Sequence, residues 1–196
     1  MSPGRDFFLR DAVSVAEDLV GYHLNRVIGE NEYSLKIVET EAYCGPEDKA
    51  SHASNNRITD RTRPMFKQGG HAYIYLIYGM YCCFNIVTAE SGTPHAVLIR
   101  AGEPVRGIET MKNNRNLSSP ACTDIASGPG KLCQALKITR DLSGTDLLSR
   151  SDISISDGSR QEPTVKSGKR INIDYAEEYR EKRWRFFIPN NQHLSQ

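Results

Sequence analysis

The sequence predicts an α+β fold, a single domain spanning residues 1–196 in which a largely antiparallel, curved β-sheet is flanked by helices and carries a protruding β-hairpin. Three observations lead there. Segments with strand-like period outnumber the helical ones and do not alternate with them regularly, which argues against βαβ units and a parallel sheet. Two of those segments, 72–78 and 81–88, are separated only by Gly79-Met80, a spacing that closes a hairpin. No repeat or low-complexity block divides the 196 residues, a length that one hydrophobic core can serve.

Along the chain, Asp11 is placed to cap a helix whose Ala12, Val15, Ala16 and Leu19 recur at helical spacing, and Gly21 ends it. A strand follows over 34–43. Strict alternation puts Leu35, Ile37, Glu39, Glu41 and Tyr43 on one face and Lys36, Val38, Thr40 and Ala42 on the other, so two acids continue an apolar face. Gly45-Pro46-Glu47-Asp48 breaks that strand, and a polar loop runs to about Gly70. After the hairpin comes a strand over 96–101 with Leu98 and Arg100 on one face. Pro104 is expected to open a helix running to about Asn114, and Pro129 a second one that turns Leu132, Ala135 and Leu136 inward. Short strands at 153–155, 170–173 and 184–188 complete the expected sheet.

Composition narrows the class. With 38% hydrophobic and 25% charged residues, the chain is neither disordered nor fibrous. It contains no apolar run near the roughly 18 to 20 residues that span a bilayer, and its first residues lack a signal-peptide pattern. A soluble, cytoplasmic protein without membrane contact is expected. The five cysteines are odd in number, show no Cys-x-x-Cys spacing and include the vicinal Cys82 and Cys83, which fits a reducing compartment and no zinc. The formal net charge of +1 hides an uneven distribution. Residues 57–67 carry four bases against one acid, 166–185 seven against four, and 39–48 four acids and no base. The two basic stretches permit a nucleic-acid partner without announcing one.

Three features carry chemistry. A carboxylate on the apolar phase of a strand costs several kcal/mol unless it is partnered. Glu41 therefore either reaches solvent or an arginine at the strand end, or works as a general base kept ionised by Arg100. The run Tyr73-Ile-Tyr75-Leu-Ile-Tyr78-Gly79-Met80-Tyr81 is either a packed aromatic sheet or a wall made by Tyr73 and Tyr75 with Tyr78 projecting from the turn, as a protein that opens a duplex requires. Gly128-Pro129-Gly130-Lys131 offers amides and a cation to a phosphate, or is simply a helix start. His52 shares no metal-ligand spacing with His23, His71, His95 or His193, and no nucleophile-elbow motif is present. By themselves these residues imply a Glu/Arg pair able to activate water, a tyrosine-rich wall and basic edges.

The ordered motifs Val38-Glu-Thr-Glu-Ala-Tyr43, Gly45-Pro-Glu-Asp48, His52, Arg61-Thr-Arg-Pro-Met-Phe66, Tyr73 to Tyr81, Asn85, Leu98-Ile-Arg-Ala101, Gly128 to Leu132 and Arg170-Ile-Asn-Ile173 to Trp184-Arg-Phe186 resemble the alkyladenine (3-methyladenine) DNA glycosylase family over nearly the whole chain. The resemblance implies a monofunctional DNA repair enzyme without cofactor or metal. Such an enzyme flips alkylated or deaminated purines from double-stranded DNA, hydrolyses the N-glycosidic bond and leaves an abasic site. Glu41 would be the general base and Arg100 would hold the water and the carboxylate. Tyr43, His52 and Tyr75 would stack on the flipped base, Asn85 would crowd the exocyclic amine of guanine, and the main chain near Ile173 would complete the water site. Tyr78 would be the wedge. Met80, Tyr81, Lys131, Arg140 and Arg57 would meet the DNA. A monomer of bacterial type, associated with the nucleoid, is implied. Asp60 and Asp174 depart from the family pattern, which often has proline and glycine there. The alternative from another class is a nucleic-acid-binding module that keeps the fold without catalysis.

Overall fold

The computed structural model describes residues 2–118, 121–150, 152–158 and 163–195. After a short helix α1 (Arg5–Phe8), Asp11 caps α2 (Ala12–Leu19), its Oδ1 accepting from the amides of Val13 and Ser14 at 3.0 Å each. Those are two of the amides that a helix start leaves without an internal acceptor. The strands β1 (His23–Ile28), β2 (Asn31–Cys44), β3 (Ala72–Ile77), β4 (Tyr81–Thr88) and β5 (His95–Arg106) follow, then α3 (Ile108–Asn114), α4 (Pro129–Ala135), β6 (Ile153–Ser156), β7 (Lys166–Gly168) and β8 (Arg185–Phe187). Among the described residues every strand pairing is antiparallel, in the order β3-β4-β5-β2-β1-β6. The sheet curls into a half-barrel.

The long strand β2 organises it. Its first half pairs with β1 from Asn31 to Lys36, and its second half pairs on the same edge with β8 from Glu39 to Glu41, while β5 lies along the other edge. One core packs α2 and α4 against the sheet, with Val15, Leu19, Leu35, Ile37, Ala42, Val97, Ile99 and Leu132 all fully buried. Thr40 stitches β2 to α2 by donating its hydroxyl to the Ala16 carbonyl at 2.7 Å.

The structure corrects the face assignment of β2. Ile37 stands opposite Gly102 and Glu39 opposite Ala101, so Val38 is an extra residue, and the register shifts again between Glu39 and Thr40 on passing Arg100. A β-bulge inserts one residue and reverses the inward and outward phase beyond it. Leu35 and Ile37 consequently face the same core as Ala42, with Thr40 turned to α2, whereas Glu39, Glu41 and Tyr43 turn to the opposite, concave face. The acids do not continue the apolar face; the bulge takes them off it.

Two further expectations fail locally. Pro104 lies inside β5 opposite Leu35, where another register shift already interrupts the ladder, a position at which the missing proline N–H costs little. The helix that was expected to begin there starts at Ile108, behind Gly107 with φ 77°. Residues 170–173 form no strand: Asn172 adopts φ 59° and the Ile171 amide goes to a side chain, while β8 pairs with β7 and β2. The hairpin, the 153–155 strand and the capped helix stand where the sequence puts them. The 184–188 strand narrows to β8.

Replacing Asp11 by Ala removes both capping bonds and is expected to cost about 1 kcal/mol, measured as a lower urea midpoint at unchanged m-value.

Candidate active site

The concave face holds a cavity of about 390 Å³, within the usual range of sites for small molecules. Tyr43 from β2, Tyr73, Tyr75 and Ile77 from β3, Asn85 from β4 and Leu98 and Arg100 from β5 form its wall, and His52 and Arg61 come from the polar loop. Ile171, Asn172 and Ile173 close one side, and Tyr78 and Tyr81 stand at the mouth.

Glu41 has no exposed surface and lies against three residues of that wall. Its Oε1 accepts from the Ile171 amide at 2.8 Å and faces Arg100 Nη1 at 3.4 Å, and its Oε2 accepts from the Tyr43 hydroxyl at 2.7 Å. A carboxylate has about four acceptor positions, so three donors hold it and one position remains. Burial raises the Glu41 acid above its ordinary value, opposed by the Arg100 charge and by the two hydrogen bonds. Burial and the neighbouring carboxylate push the Tyr43 hydroxyl well above its usual range, which keeps it a donor. The sequence-predicted pair Glu41 and Arg100 is thus brought together.

The base of the wall is braced from behind. Arg170 and Asp48, both fully buried, form a two-pronged pair at 2.5 and 2.8 Å. The same guanidinium donates to the Ala42 carbonyl at 2.9 Å and lies over the rings of Tyr43 at 4.8 Å and Trp184 at 5.1 Å. This clamp fixes Tyr43 and the 170–173 loop, and through that loop the Ile171 amide.

His52 stands edge-on to Tyr75 with centroids 4.5 Å apart. Arginine can only donate, so the 2.9 Å contact from Arg61 makes His52 Nε2 the acceptor and leaves the proton on Nδ1, which donates to the Tyr73 hydroxyl at 2.9 Å. Burial first, and the Arg61 charge second, lower the His52 pKa to about 4, so the ring is neutral at physiological pH. Arg61 also lies 4.9 Å over the Tyr75 ring. Asn85 spends both amide hydrogens on the carbonyls of Tyr73 and Cys83 at 3.1 and 3.2 Å.

At the hairpin tip Tyr78 has φ 53° and Gly79 φ 71°, with the Met80 amide bonded to the Ile77 carbonyl at 3.2 Å. A bulky residue in the left-handed region is strained by about 1 to 3 kcal/mol, and this one leaves Tyr78 79% exposed. Met80 is exposed beside it, and Tyr81 packs over Gly130 so closely that a Cβ there would stand 3.1 Å from it. Lys131 pairs with Asp124, while Arg57 and Arg140 are exposed; none of these three lines the cavity. Of the two departures from the family pattern, Asp60 pairs with Arg63 at 3.0 Å and Asp174 begins a 3₁₀ turn.

Four participants were not anticipated from the sequence: the Ile171 amide, two residues before Ile173; Arg61 as a wall residue; Glu39; and Ser195. The signal for Glu39 was present, since it shares the phase of Glu41. Nothing in the pattern announced Ser195, which lines the cavity from the far end of the chain.

The concave face thus carries an aromatic cavity over a buried carboxylate, with a basic loop at its edge and an exposed tyrosine at its mouth. The chain matches the family described as Methylpurine-DNA glycosylase (MPG) over residues 6–192. It is 50% identical over 191 residues to a protein of Natranaerobius thermophilus, covering 97% of this chain and 96% of that one. It is 49% identical to one of Methanocella arvoryzae (95% and 92% covered) and 47% identical to one of Alkaliphilus oremlandii (97% of both). Each of the three carries the name "Putative 3-methyladenine DNA glycosylase". The chain belongs to the methylpurine-DNA glycosylase family, and with it to the enzymes of base excision repair that act on alkylation damage. No helix among the described residues is long and apolar enough to cross a membrane.

Removing one partner of a buried ion pair strands the other, at a cost of about 3 to 5 kcal/mol. Asp48→Asn is therefore expected to lose about that much stability by urea denaturation, and base release is expected to fall with it as Tyr43 and Ile171 lose their brace.

Proposed function

We propose that this glycosylase excises alkylated or deaminated purines, namely 3-methyladenine, 7-methylguanine, hypoxanthine and ethenoadenine, from double-stranded DNA by flipping the nucleotide and hydrolysing its N-glycosidic bond with a water activated by Glu41. The observation that carries this reading is the Glu41 carboxylate, held by three donors against the wall of an aromatic cavity.

Alkylation at N3 or N7 makes the purine cationic, and the faces of Tyr43 and Tyr75 attract it by about 0.5 to 2 kcal/mol beyond ordinary stacking. As the glycosidic bond lengthens, the base takes the bonding electron pair and the sugar becomes oxocarbenium-like. The ionised Glu41 stabilises that charge. Water then attacks the anomeric carbon, its proton passes to Glu41, and an abasic site remains. The attacking water would sit at the open carboxylate position beside the Arg100–Glu41 ion pair, a reading supported by the 3.4 Å approach of Nη1 to Oε1. Asn85, pinned by two carbonyls, cannot swing aside for the exocyclic amine of guanine. Among the described residues the cations lining the cavity are arginines, which supports hydrolysis without a lysine Schiff base and hence no lyase step. Acting alone as a monomer, the protein needs no cofactor for this chemistry.

Glu41→Gln is expected to bind lesion DNA as the wild type does while releasing methylated bases and hypoxanthine at least ~100-fold more slowly. Unchanged release would remove Glu41 from the reaction. Because activity requires the ionised form and burial raises its pKa, the wild-type rate falls on acidification with a midpoint above 4.5, the ordinary glutamate value. Tyr78→Ser is expected to weaken binding to lesion duplexes about tenfold, the scale of one lost base stack, with little effect on single strands carrying the same lesion. Equal losses on both would exclude the wedge.

A further inference from the structure

Glu39 is a second buried acid for which the reaction has no step. Its side chain has no exposed surface. Oε1 accepts from Arg100 Nε at 3.2 Å, from Arg185 Nη1 at 3.1 Å and from the Ser195 hydroxyl at 2.9 Å, and Oε2 accepts from the Ser195 amide at 2.7 Å. The Ser195 oxygen in turn accepts from Arg100 Nε at 3.2 Å and Nη2 at 3.1 Å. A guanidinium is a rigid fork of five donors. With Nε and Nη2 engaged by Glu39 and Ser195, Nη1 is the arm left facing Glu41.

We propose that Glu39 and Ser195 are positioning residues that hold the Arg100 guanidinium against Glu41. Arg100 stands at an irregular step in the β5 ladder, where Glu39 pairs with Ala101 and Thr40 with Ile99. The ladder there does not by itself fix which edge of the fork meets the carboxylate. The acid two residues before Glu41 grips one edge, and the chain segment beyond β8 returns to place a hydroxyl and an amide on the same carboxylate. Arg185 from β8 shares the load, so that Glu39 is anchored on two sides.

The arrangement also sets the charge around Glu41. The groups facing it are Arg100 from β5, Glu39 and Tyr43 from β2, Tyr75 from β3, Arg170 from the loop after β7 and Tyr175 from the turn that follows. Glu39 is the one like charge in that set. It also draws part of the Arg100 charge away from Glu41, leaving the carboxylate a stronger base than a private ion pair would make it.

This inference rests on Glu41 as the base, and the experiment separates the two. Single-turnover base release from methylated duplex DNA is measured across pH for wild type, Glu41→Gln, Glu39→Gln, Ser195→Ala and Ser195→Thr. In Glu39→Gln the maximal rate is expected to fall about 10- to 100-fold as Arg100 loses its grip, and the acid limb to move to lower pH, because a like charge beside Glu41 has gone. Ser195→Ala is expected to lower the maximal rate several-fold without changing the enzyme concentration at half-saturation, and Ser195→Thr, which keeps the hydroxyl, to restore it. Ser195 is only half-buried, so its variants carry the test should Glu39→Gln fail to fold. Full release by Glu41→Gln defeats the base assignment. Loss of release in Glu41→Gln alongside wild-type rates and acid limbs in the Glu39 and Ser195 variants overturns the positioning role alone.

Discussion

Two carboxylates buried on the concave face of one strand are the constraint that the rest of this molecule answers. An isolated charge in a protein interior costs several kcal/mol even after relaxation, and Glu39 and Glu41 are both without exposed surface. Several elements around them supply donors: Arg100 from β5, Arg185 from β8, the Ile171 amide from the loop between β7 and the last 3₁₀ turn, and Ser195 beyond β8. The forking of β2, with β1 on its first half and β8 on its second, is what delivers Arg185 to the spot.

The aromatic wall is tied into the same scheme. Tyr43 gives its hydroxyl to Glu41 and its ring face to Arg170, whose own charge is matched by Asp48. His52 is fixed in one neutral tautomer between Arg61 and Tyr73. The aromatic side chains of the cavity are therefore held by their partners, and among the described residues the cations lining it are arginines set by partners of their own. The hairpin is separate in kind: at its tip Tyr78 and Met80 are exposed, and Tyr78 adopts a left-handed backbone conformation with φ 53°.

Much of this was legible in the residues. Asp11 before Ala12, Val15, Ala16 and Leu19 reads as a capped amphipathic helix, and Gly79 between two tyrosine-rich segments reads as a turn, because both signals are local. Glu41 stands out because an acid in an apolar phase needs a partner, and Arg100 shares the phase of Leu98. What stayed hidden is non-local. The Val38 bulge leaves no mark in a period-2 pattern, yet it decides which face the acids occupy. Pro104 looks like a helix start and is tolerated in a strand only because the ladder is already broken opposite Leu35. The Ile171 amide and Ser195 reach the site through tertiary folding, and no spacing rule connects them to Glu41.

The proposed chemistry requires Glu41 to act as an ionised base at neutral pH although it is buried. Selective ¹³C labelling of glutamate carboxyls, with Glu41→Gln to assign the resonance, allows its titration to be followed directly by NMR in the free protein. A resonance that titrates above 4.5 and is fully ionised at pH 7 is the result predicted by three donors acting against desolvation. A Glu41 that remains protonated at pH 7 would contradict the account, because a neutral carboxylic acid cannot take a proton from the attacking water.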